Sequence, residues 1–575
     1  MSDHIYDKLR RLNVFCDAVL YVGSEKFPVH KILLCSSSRY FRDMFEIQSA
    51  PDDRDFPVAE ISPKIMSLVL EWIYTESITL SRETILDLLL AAHMLQLEEL
   101  IEIGFQFLEN NLCPENCIGL WKISNVALTK IRDLARRFIL SHFEEVVHCD
   151  EFQQLTAQEL ISLIEEDELI VKNETAVYQA ILHWTNHDLQ QRRAEFSRLL
   201  TKVRLPELSP HFVEHNVLNN ALVTDDIECI SAISKSMVAA YEVSVYRGSR
   251  HHLVRPRIPG EILLAIGGWS CGDPINQIEA YDYKADRWFE VTNHEERPRA
   301  YHGSVFFKGS VYCVGGFDKR EHFNSVRRLD LGTRTWHEMP CMYYKRCYVS
   351  VTVLNDCIYA MGGYNGKTRL NTAEVYDPKS RQWSLIAPMI EQRSDAKCTT
   401  FNGKIYICGG FNGTAVLQTV ECYCAETNQW SLIAPMTTRR TGVGVIAHAN
   451  LIYAVGGYDG NMCLSSVEAY NPSTDSWQQV ASIALARRNF GIAVLNDRIF
   501  IVGGYNGTTT SYSVESYDHL ADTWSEACDV KTRRSALSCC VISGLPNMAD
   551  YTVCRTWLSQ DDLPLLDTES DEEAM

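Results

Sequence analysis

The sequence predicts a multidomain protein, in which an α+β N-terminal domain and an all-α middle region precede an all-β, six-bladed propeller. Three observations carry this. A Gly-Gly pair begins at Gly267, Gly315, Gly362, Gly409, Gly456 and Gly503, at an interval of 48 once and 47 four times. Each pair closes an apolar run and is followed by a second strand and a Trp. Upstream of the array the hydrophobic period changes from that of strands to that of helices. A repeat near 47 residues with four short strands per unit is the pattern of a propeller blade.

From the N-terminus, residues 5 to 12 form a short amphipathic helix with Ile5, Leu9 and Leu12 on one side. Cys16 to Val22 and Lys26 to Val29 read as a hairpin turning at Gly23-Ser24, and His30 to Phe45 as helical. His30 is read as structural, because a lone His beside Lys is more often a satisfied core residue than a ligand. From Cys113 to about Tyr246 the apolar spacing is helical throughout, as in Leu134, Phe138 and Ile139, then Leu160, Leu163 and Ile164. Residues 247–258 hold Arg247, Arg250, His251, His252, Arg255 and Arg257 and read as a solvated linker.

In the array the blade Trp recurs at 288, 336, 383, 430, 477 and 524, and a Tyr seven residues earlier at 281, 376, 423, 470 and 517, with Leu329 replacing it once. Large rings at these places suit packing between neighbouring sheets. Blade one begins at the Gly-Gly strand, Glu261 to Ile266, and lacks the strand that precedes it elsewhere; one unmatched strand, Ser535 to Ile542, follows the last Trp. The last strand is therefore expected to complete the first blade and leave no open sheet edge. Beyond it the chain turns polar, with seven acids and no base in residues 561–575, and is expected to be a flexible tail.

Composition narrows the function classes. The 575 residues exceed one core, and the formal net charge of −20 disfavours nucleic-acid binding. No apolar run is long enough to suggest a membrane span, and the N-terminus does not read as a signal peptide. The 20 cysteines lack paired Cys-x-x-Cys spacing, so the expectation is a reduced, cytoplasmic protein without a metal site.

Three strings match catalytic patterns and are discounted. His211-Phe-Val-Glu-His215 has no third metal ligand, Gly268-Trp-Ser270-Cys-Gly272 lies in a blade turn, and Gly442-Val-Gly444 lies inside a strand with no helix to receive a phosphate. No cofactor is expected.

One more residue repeats in register: Arg299, Arg346, Arg393, Arg440, Arg487 and Arg534, every interval being 47. Repetition allows two readings. The guanidiniums ring one mouth of the channel and bind carboxylates of an acidic peptide, or they staple adjacent segments together. The turns after Gly-Gly, with Trp269, Asp318, Asn365, Asn412, Asp459 and Asn506, would line the same face and set specificity. Tyr301, Tyr344, Tyr348 and Phe490 would supply apolar anchors.

The Gly-Gly, Tyr and Trp spacing resembles kelch repeats. Asp17, Phe27, His30-Lys31, Ser38-x-Tyr40-Phe41, Met44-Phe45 and Tyr74 resemble a BTB domain, and Asp167 to Glu174 with Val177-Tyr178 and Trp184 resembles a BACK domain. From residue 5 to 545 the chain resembles the BTB-BACK-kelch family. The resemblance implies a BTB domain over 1–113, a BACK domain over 114–246, a linker over 247–258, a propeller over 259–545 and an acidic tail over 546–575. It also implies a BTB homodimer that docks cullin-3 through Tyr40, Met44, Phe45, Ile47 and Tyr74. The chain would then be a non-catalytic substrate adaptor of a cullin-3 ubiquitin ligase, or alternatively a cytoskeletal, actin-binding or scaffolding protein. Relatives that dock cullin carry a hydrophobic-x-Glu motif, whereas here Ile47 is followed by Gln48-Ser49. Relatives also hold target peptides with the Arg of an Arg-x-Gly motif, matched by Arg440-Thr-Gly442, which favours the peptide-binding reading of the arginines.

Overall fold

The computed structural model describes residues 5–47, 54–123, 128–245, 254–291 and 296–555. It divides into two compact units, Met1–Glu165 with Thr175–Lys202, and Glu166–Glu174 with Val203–Met575. No described helix is long and apolar enough to cross a membrane.

The first unit opens with helix α1 (Ile5–Arg11), followed by strands β1 (Ala18–Val22) and β2 (Glu25–Val29) in an antiparallel hairpin. Strand β3 (Asp55–Pro57) adds parallel to the other side of β1. Alternate residues of β1 are buried, which turns Leu20 and Val22 into a core with Phe41, Val69 and Leu70. Helix α2 (Lys31–Ser37), α3 (Arg39–Ile47) and α4 (Pro63–Thr75) cover that core. Helix α4 starts where the Ser62 hydroxyl accepts from the Ile65 N–H and Pro63 supplies the first turn. His30 is structural: its backbone N–H donates to the Tyr74 hydroxyl at 2.8 Å, and its ring nitrogens lie 3.0 Å from that hydroxyl and 3.0 Å from the Val14 carbonyl.

The helical region that follows is held by local devices of the same kind. A capping box joins Thr156 and Glu159 at the start of Ala157–Ile164. Trp184 donates its indole N–H to the Leu155 carbonyl. His211 and His215 stack with centroids 4.1 Å apart, and Nδ1 of His215 bonds the His211 carbonyl.

The second unit contains six four-stranded antiparallel sheets among the described residues. The C-terminal strand Ser538–Ser543 pairs with Glu261–Ser270, matching Ser538 to Ile266 and Ser543 to Glu261, so the ring is sealed as expected. Tyr and Trp lie opposite each other on the outer two strands, as in Tyr423 and Trp430. The Trp430 indole donates to the Ala387 carbonyl of the preceding blade, and Asn428, held by the Tyr423 hydroxyl, accepts from the Ala387 N–H. The same cradle recurs at Trp477 with Asp475 and at Trp524 with Asp522. In these blades both backbone polar groups of one residue are thus gripped by the next blade. Gly409 has φ of +64°, and a Cβ there would meet the Arg440 carbonyl oxygen at 2.2 Å, which is why no larger residue fits.

Two expectations at the margins are corrected. Arg255 and Arg257 are not solvated: Arg257 forks onto buried Glu174 at 2.7 and 2.8 Å, and Arg255 pairs with Asp167 at 2.9 Å. Charges in a short basic run are drawn inward when acids of 166–174 need partners. Residues 246–253, with Arg247, Arg250, His251 and His252, lie outside the described residues. Nor is the tail free from 546. Tyr551 is buried and donates to the Leu331 carbonyl, while Arg555 pairs with Asp282, itself fully buried. The acidic stretch 556–575 lies outside the described residues.

Candidate functional site

Arg346 leaves the connection into its blade and donates from Nη1 to the carbonyls of Gly362 and Thr372, at 2.7 and 2.8 Å. Its Nη2 reaches the Thr372 hydroxyl and Glu374, and Nε reaches Glu374 as well. Arg393 and Glu421, Arg440 and Glu468, Arg487 and Glu515, and Arg534 and Glu279 repeat this pair, and all of these side chains are buried. The six repeated arginines are therefore staples. The peptide-binding reading of Arg299, Arg346, Arg393, Arg440, Arg487 and Arg534 is corrected, because their guanidiniums are buried and donate to carbonyls of their own blade, with a carboxylate added in five of the six. Blade two departs from the pattern. Arg327 stands at the Glu position and pairs with Glu296, so among the described residues Arg299 has no carboxylate partner, stacks on Phe323, and keeps a buried Nε without an acceptor.

The turn residues have a similar fate. The side-chain oxygens of Asn365, Asn412, Asp459 and Asn506 each accept two backbone N–H groups of their own turn, as Asn412 does from Thr414 and Ala415. They shape the turns and have little acceptor capacity left for a ligand. Trp269, by contrast, is half-exposed and lines a cleft.

That cleft holds about 440 Å³ and is lined by Trp269, Tyr301, Arg488, Asn489, Tyr505 and Arg533 among others. It lies at one mouth of the propeller axis. The residue two beyond each repeated Arg has positive φ: Tyr301, Tyr348, Asp395, Gly442, Asn489 and Ala536. Their backbones form a closed cycle. Tyr348 N–H donates to Tyr301, Asp395 to Tyr348, Gly442 to Asp395, Asn489 to Gly442, Ala536 to Asn489 and Tyr301 to Ala536, at 2.7 to 3.1 Å. This hoop fixes the mouth and sets Tyr301, Tyr348, Asp395, Asn489 and Ala536 around its rim, with Gly442 leaving a gap. Tyr301 and Tyr348 pack with centroids 4.1 Å apart, whereas Phe490 is core and Tyr344 lies over Arg346.

Two guanidiniums missed from the sequence reach this face. Arg369 lies over Tyr364 at 4.2 Å and Arg488 over Tyr458 at 4.6 Å. Neither has a carboxylate partner among the described residues, and the Nε of Arg488 is buried without an acceptor. Their stacking platforms were legible, since the residue after every Gly-Gly is aromatic: Trp269, Phe317, Tyr364, Phe411, Tyr458 and Tyr505. A ligand with carboxylates and apolar groups would satisfy both features of the cleft.

Asp395 faces the same rim. Burial pushes its carboxyl up to about 6, against the pull of Lys397, Arg488 and Arg369. The Asn489 amide, with its nitrogen toward Asp395, donates to both carboxylate oxygens at 3.0 and 3.1 Å. Because the folded carboxyl is raised above its unfolded value, the native state holds an extra proton between about pH 4 and 6, and stability falls as pH rises through that window. Asp395→Asn is expected to gain about 1–2 kcal/mol at pH 7.5, after allowance for solvent reaching the group, and close to nothing at pH 4. Urea unfolding at the two pH values checks this; an equal effect at both would show that Asp395 ionises normally.

In the first unit, the residues implied in cullin contact separate. Met44, Phe45 and Tyr74 are buried in the core, so they are corrected from surface contacts to packing residues, and the Tyr74 hydroxyl is committed to His30. Tyr40 is half-exposed and packs edge-on against Phe41. Ile47 ends α3; its side chain and residues 48–53 lie outside the described residues. Helix α1 turns Asp7 inward, held by Arg10 and Arg11, and leaves Ile5, Tyr6, Leu12 and Phe15 exposed on and just after it.

Comparison with known families agrees with this architecture. Residues 6–112 match the BTB/POZ domain, 117–218 the BTB And C-terminal Kelch domain, 342–504 the KLHDC2/KLHL20/DRC7 Kelch-repeats domain, and 298–343 and 486–527 the Kelch motif. Among curated proteins, the chain is similar to Kelch-like protein 2 of Rattus norvegicus and of Mus musculus, each 33% identical over 320 residues. These alignments cover 55% of this chain and 54% of the relative, so the chain spans about half the length of the curated relatives it matches. With BTB, BACK and kelch domains in this order and six sealed blades, the chain belongs to the BTB-BACK-kelch family.

Proposed function

We propose that this protein is the substrate-recognition adaptor of a cullin-3 ubiquitin ligase. Residues 1–113 dimerise and dock the cullin, 114–246 act as helical spacer, and the propeller mouth captures a target through an acidic peptide. The observation that carries target capture is the pair of guanidiniums, Arg369 and Arg488, stacked on aromatic rings at a rigid mouth and lacking carboxylate partners among the described residues. Exposed Ile5, Tyr6, Leu12 and Phe15 support the dimer, since an apolar face of this kind is covered in a stable assembly. The adaptor contributes proximity rather than a catalytic group.

The test is calorimetry of the full-length chain with the cullin-3 N-terminal domain. Tyr40→Ala serves as the control, because its half-exposed ring can be removed without hollowing the core, as loss of buried Tyr74 would. Binding is expected, weakened roughly tenfold by Tyr40→Ala, which is about 1.4 kcal/mol. Absence of binding at tens of micromolar would sink the ligase reading. Gln48-Ser49 where cullin-docking relatives carry x-Glu favours a second reading, a scaffold that binds actin filaments, which co-sedimentation of the full-length chain would then reveal.

A further inference from the structure

Three side chains from two neighbouring blades converge at the face of the propeller opposite the Gly-Gly turns. His448 ends the innermost strand Gly444–His448 of blade five. Asp497 lies in the turn between Gly491–Leu495 and Arg498–Val502 of blade six, and His519 follows the strand Val514–Asp518 of the same blade. Nε2 of His448 is 3.0 Å from Nδ1 of His519 and 3.7 Å from Oδ1 of Asp497. The two rings stand at 90° with centroids 4.6 Å apart. The three donor atoms all lie within 4.8 Å of one another.

We propose that His448, Asp497 and His519 form a binding site for a divalent first-row transition ion, of which zinc is the representative. Two imidazole nitrogens and one carboxylate oxygen suit such an ion, whereas calcium and magnesium take oxygen ligands. An ion about 2.1 Å from both nitrogens in tetrahedral geometry sets them about 3.4 Å apart, so the rings need to open by a few tenths of an ångström and turn their lone pairs toward the ion. His448 is buried and its backbone is fixed by pairing with Leu451, which gives the site one rigid ligand. The other two sit on turns that can adjust. Asp518 is not a fourth ligand, because one oxygen takes Arg498 and the other the N–H groups of Leu520 and Ala521. With three protein ligands the site keeps a position for water, and the ion links blade five to blade six.

The experiment uses the full-length chain, stripped with chelator, kept reduced and titrated with Co²⁺ and with Zn²⁺. The chain's twenty cysteines are potential competitors, but thiolate ligands give an intense charge-transfer band that a nitrogen and oxygen site lacks. Expected are weak visible d–d bands without thiolate charge transfer, one ion per chain, and a rise in unfolding temperature on adding zinc. His519→Gln is expected to weaken binding at least about tenfold and to abolish the thermal shift, and Asp497→Asn to weaken it less. Both changes lie on turns and leave the buried His448 in place, and an unchanged unfolding temperature without metal verifies the fold. Equal binding by the parent chain and His519→Gln, or none at about 100 μM ion, overturns the site and leaves only a hydrogen bond between the two histidines.

Discussion

Arg440→Ala is expected to destabilise the propeller by about 3–5 kcal/mol, because it strands Glu468 in the interior without its cation. The guanidinium donates to the carbonyls of Gly456 and Ser466, to the Ser466 hydroxyl and twice to Glu468, so every one of these acceptors loses a bond together. Glu468 in turn accepts the N–H groups of Thr437 and Thr438, which anchor the connection from blade four. Burial alone would raise the Glu468 carboxyl, but the bonds from Thr437 and Arg440 bring it below the ordinary value. Its contribution is therefore present above the unfolded pKa and is lost as pH falls through the folded one. Glu468→Ala should cost a similar amount, and the double variant less than the sum. Blade two provides the control. Among the described residues Arg299 has no carboxylate partner, so Arg299→Ala should cost distinctly less. Chemical unfolding followed by tryptophan fluorescence measures all four, and equal losses at Arg299 and Arg440 would refute the assignment of the pair as the staple.

Arg488→Glu is expected to abolish capture of acidic peptides, at some cost in stability at neutral pH because it removes a cation that favours the Asp395 carboxylate. A charge-assisted bond of about 1.5–3 kcal/mol is lost and a like charge is placed beside Asp395, so the affinity of a selected peptide should fall by more than a hundredfold. Arg369→Glu acts on the same face from another blade and should have a comparable but smaller effect, since Arg369 lies nearer Tyr364 than the cleft wall. The measurement is selection of acidic 12-residue peptides on the full-length chain, followed by fluorescence anisotropy at two salt concentrations. A selected peptide that binds Arg488→Glu as well as the parent would move the binding surface elsewhere.

The contrast between these two arginines shows how far the sequence could be read. Arg487 and Arg488 are adjacent, and periodicity singles out the first because it recurs every 47 residues. What recurs in every blade serves what all blades share, which is closure of the ring. Binding belongs to residues that break the repeat, and Arg488 corresponds to Ala300, Cys347, Ser394, Thr441 and Ser535 elsewhere. The blades themselves were legible, because Gly-Gly and Trp report backbone geometry and packing within about 20 residues. The triad of His448, Asp497 and His519 was not, since two turns of one blade and a strand end of another meet only after folding. The BTB landmarks were legible as a resemblance, but their exposure was not: Met44, Phe45 and Tyr74 mark the core that shapes the surface rather than the surface itself.

The seam between Ser538–Ser543 and Glu261–Ser270 also dictates a timetable. A ribosome adding about 5–20 residues per second needs roughly 15–55 seconds to pass from Ile266 to Ser538. Throughout that interval the opening strand presents a row of unpaired amides and carbonyls and the apolar side chains of Ile262 and Leu264. The nascent chain is thus exposed to edge-to-edge pairing with its neighbours on a polysome, and its dependence on chaperones should be concentrated there. A premature stop codon anywhere before residue 538 removes only the last few per cent of the chain at its latest position, yet leaves the first blade without its inner strand and the ring unlatched.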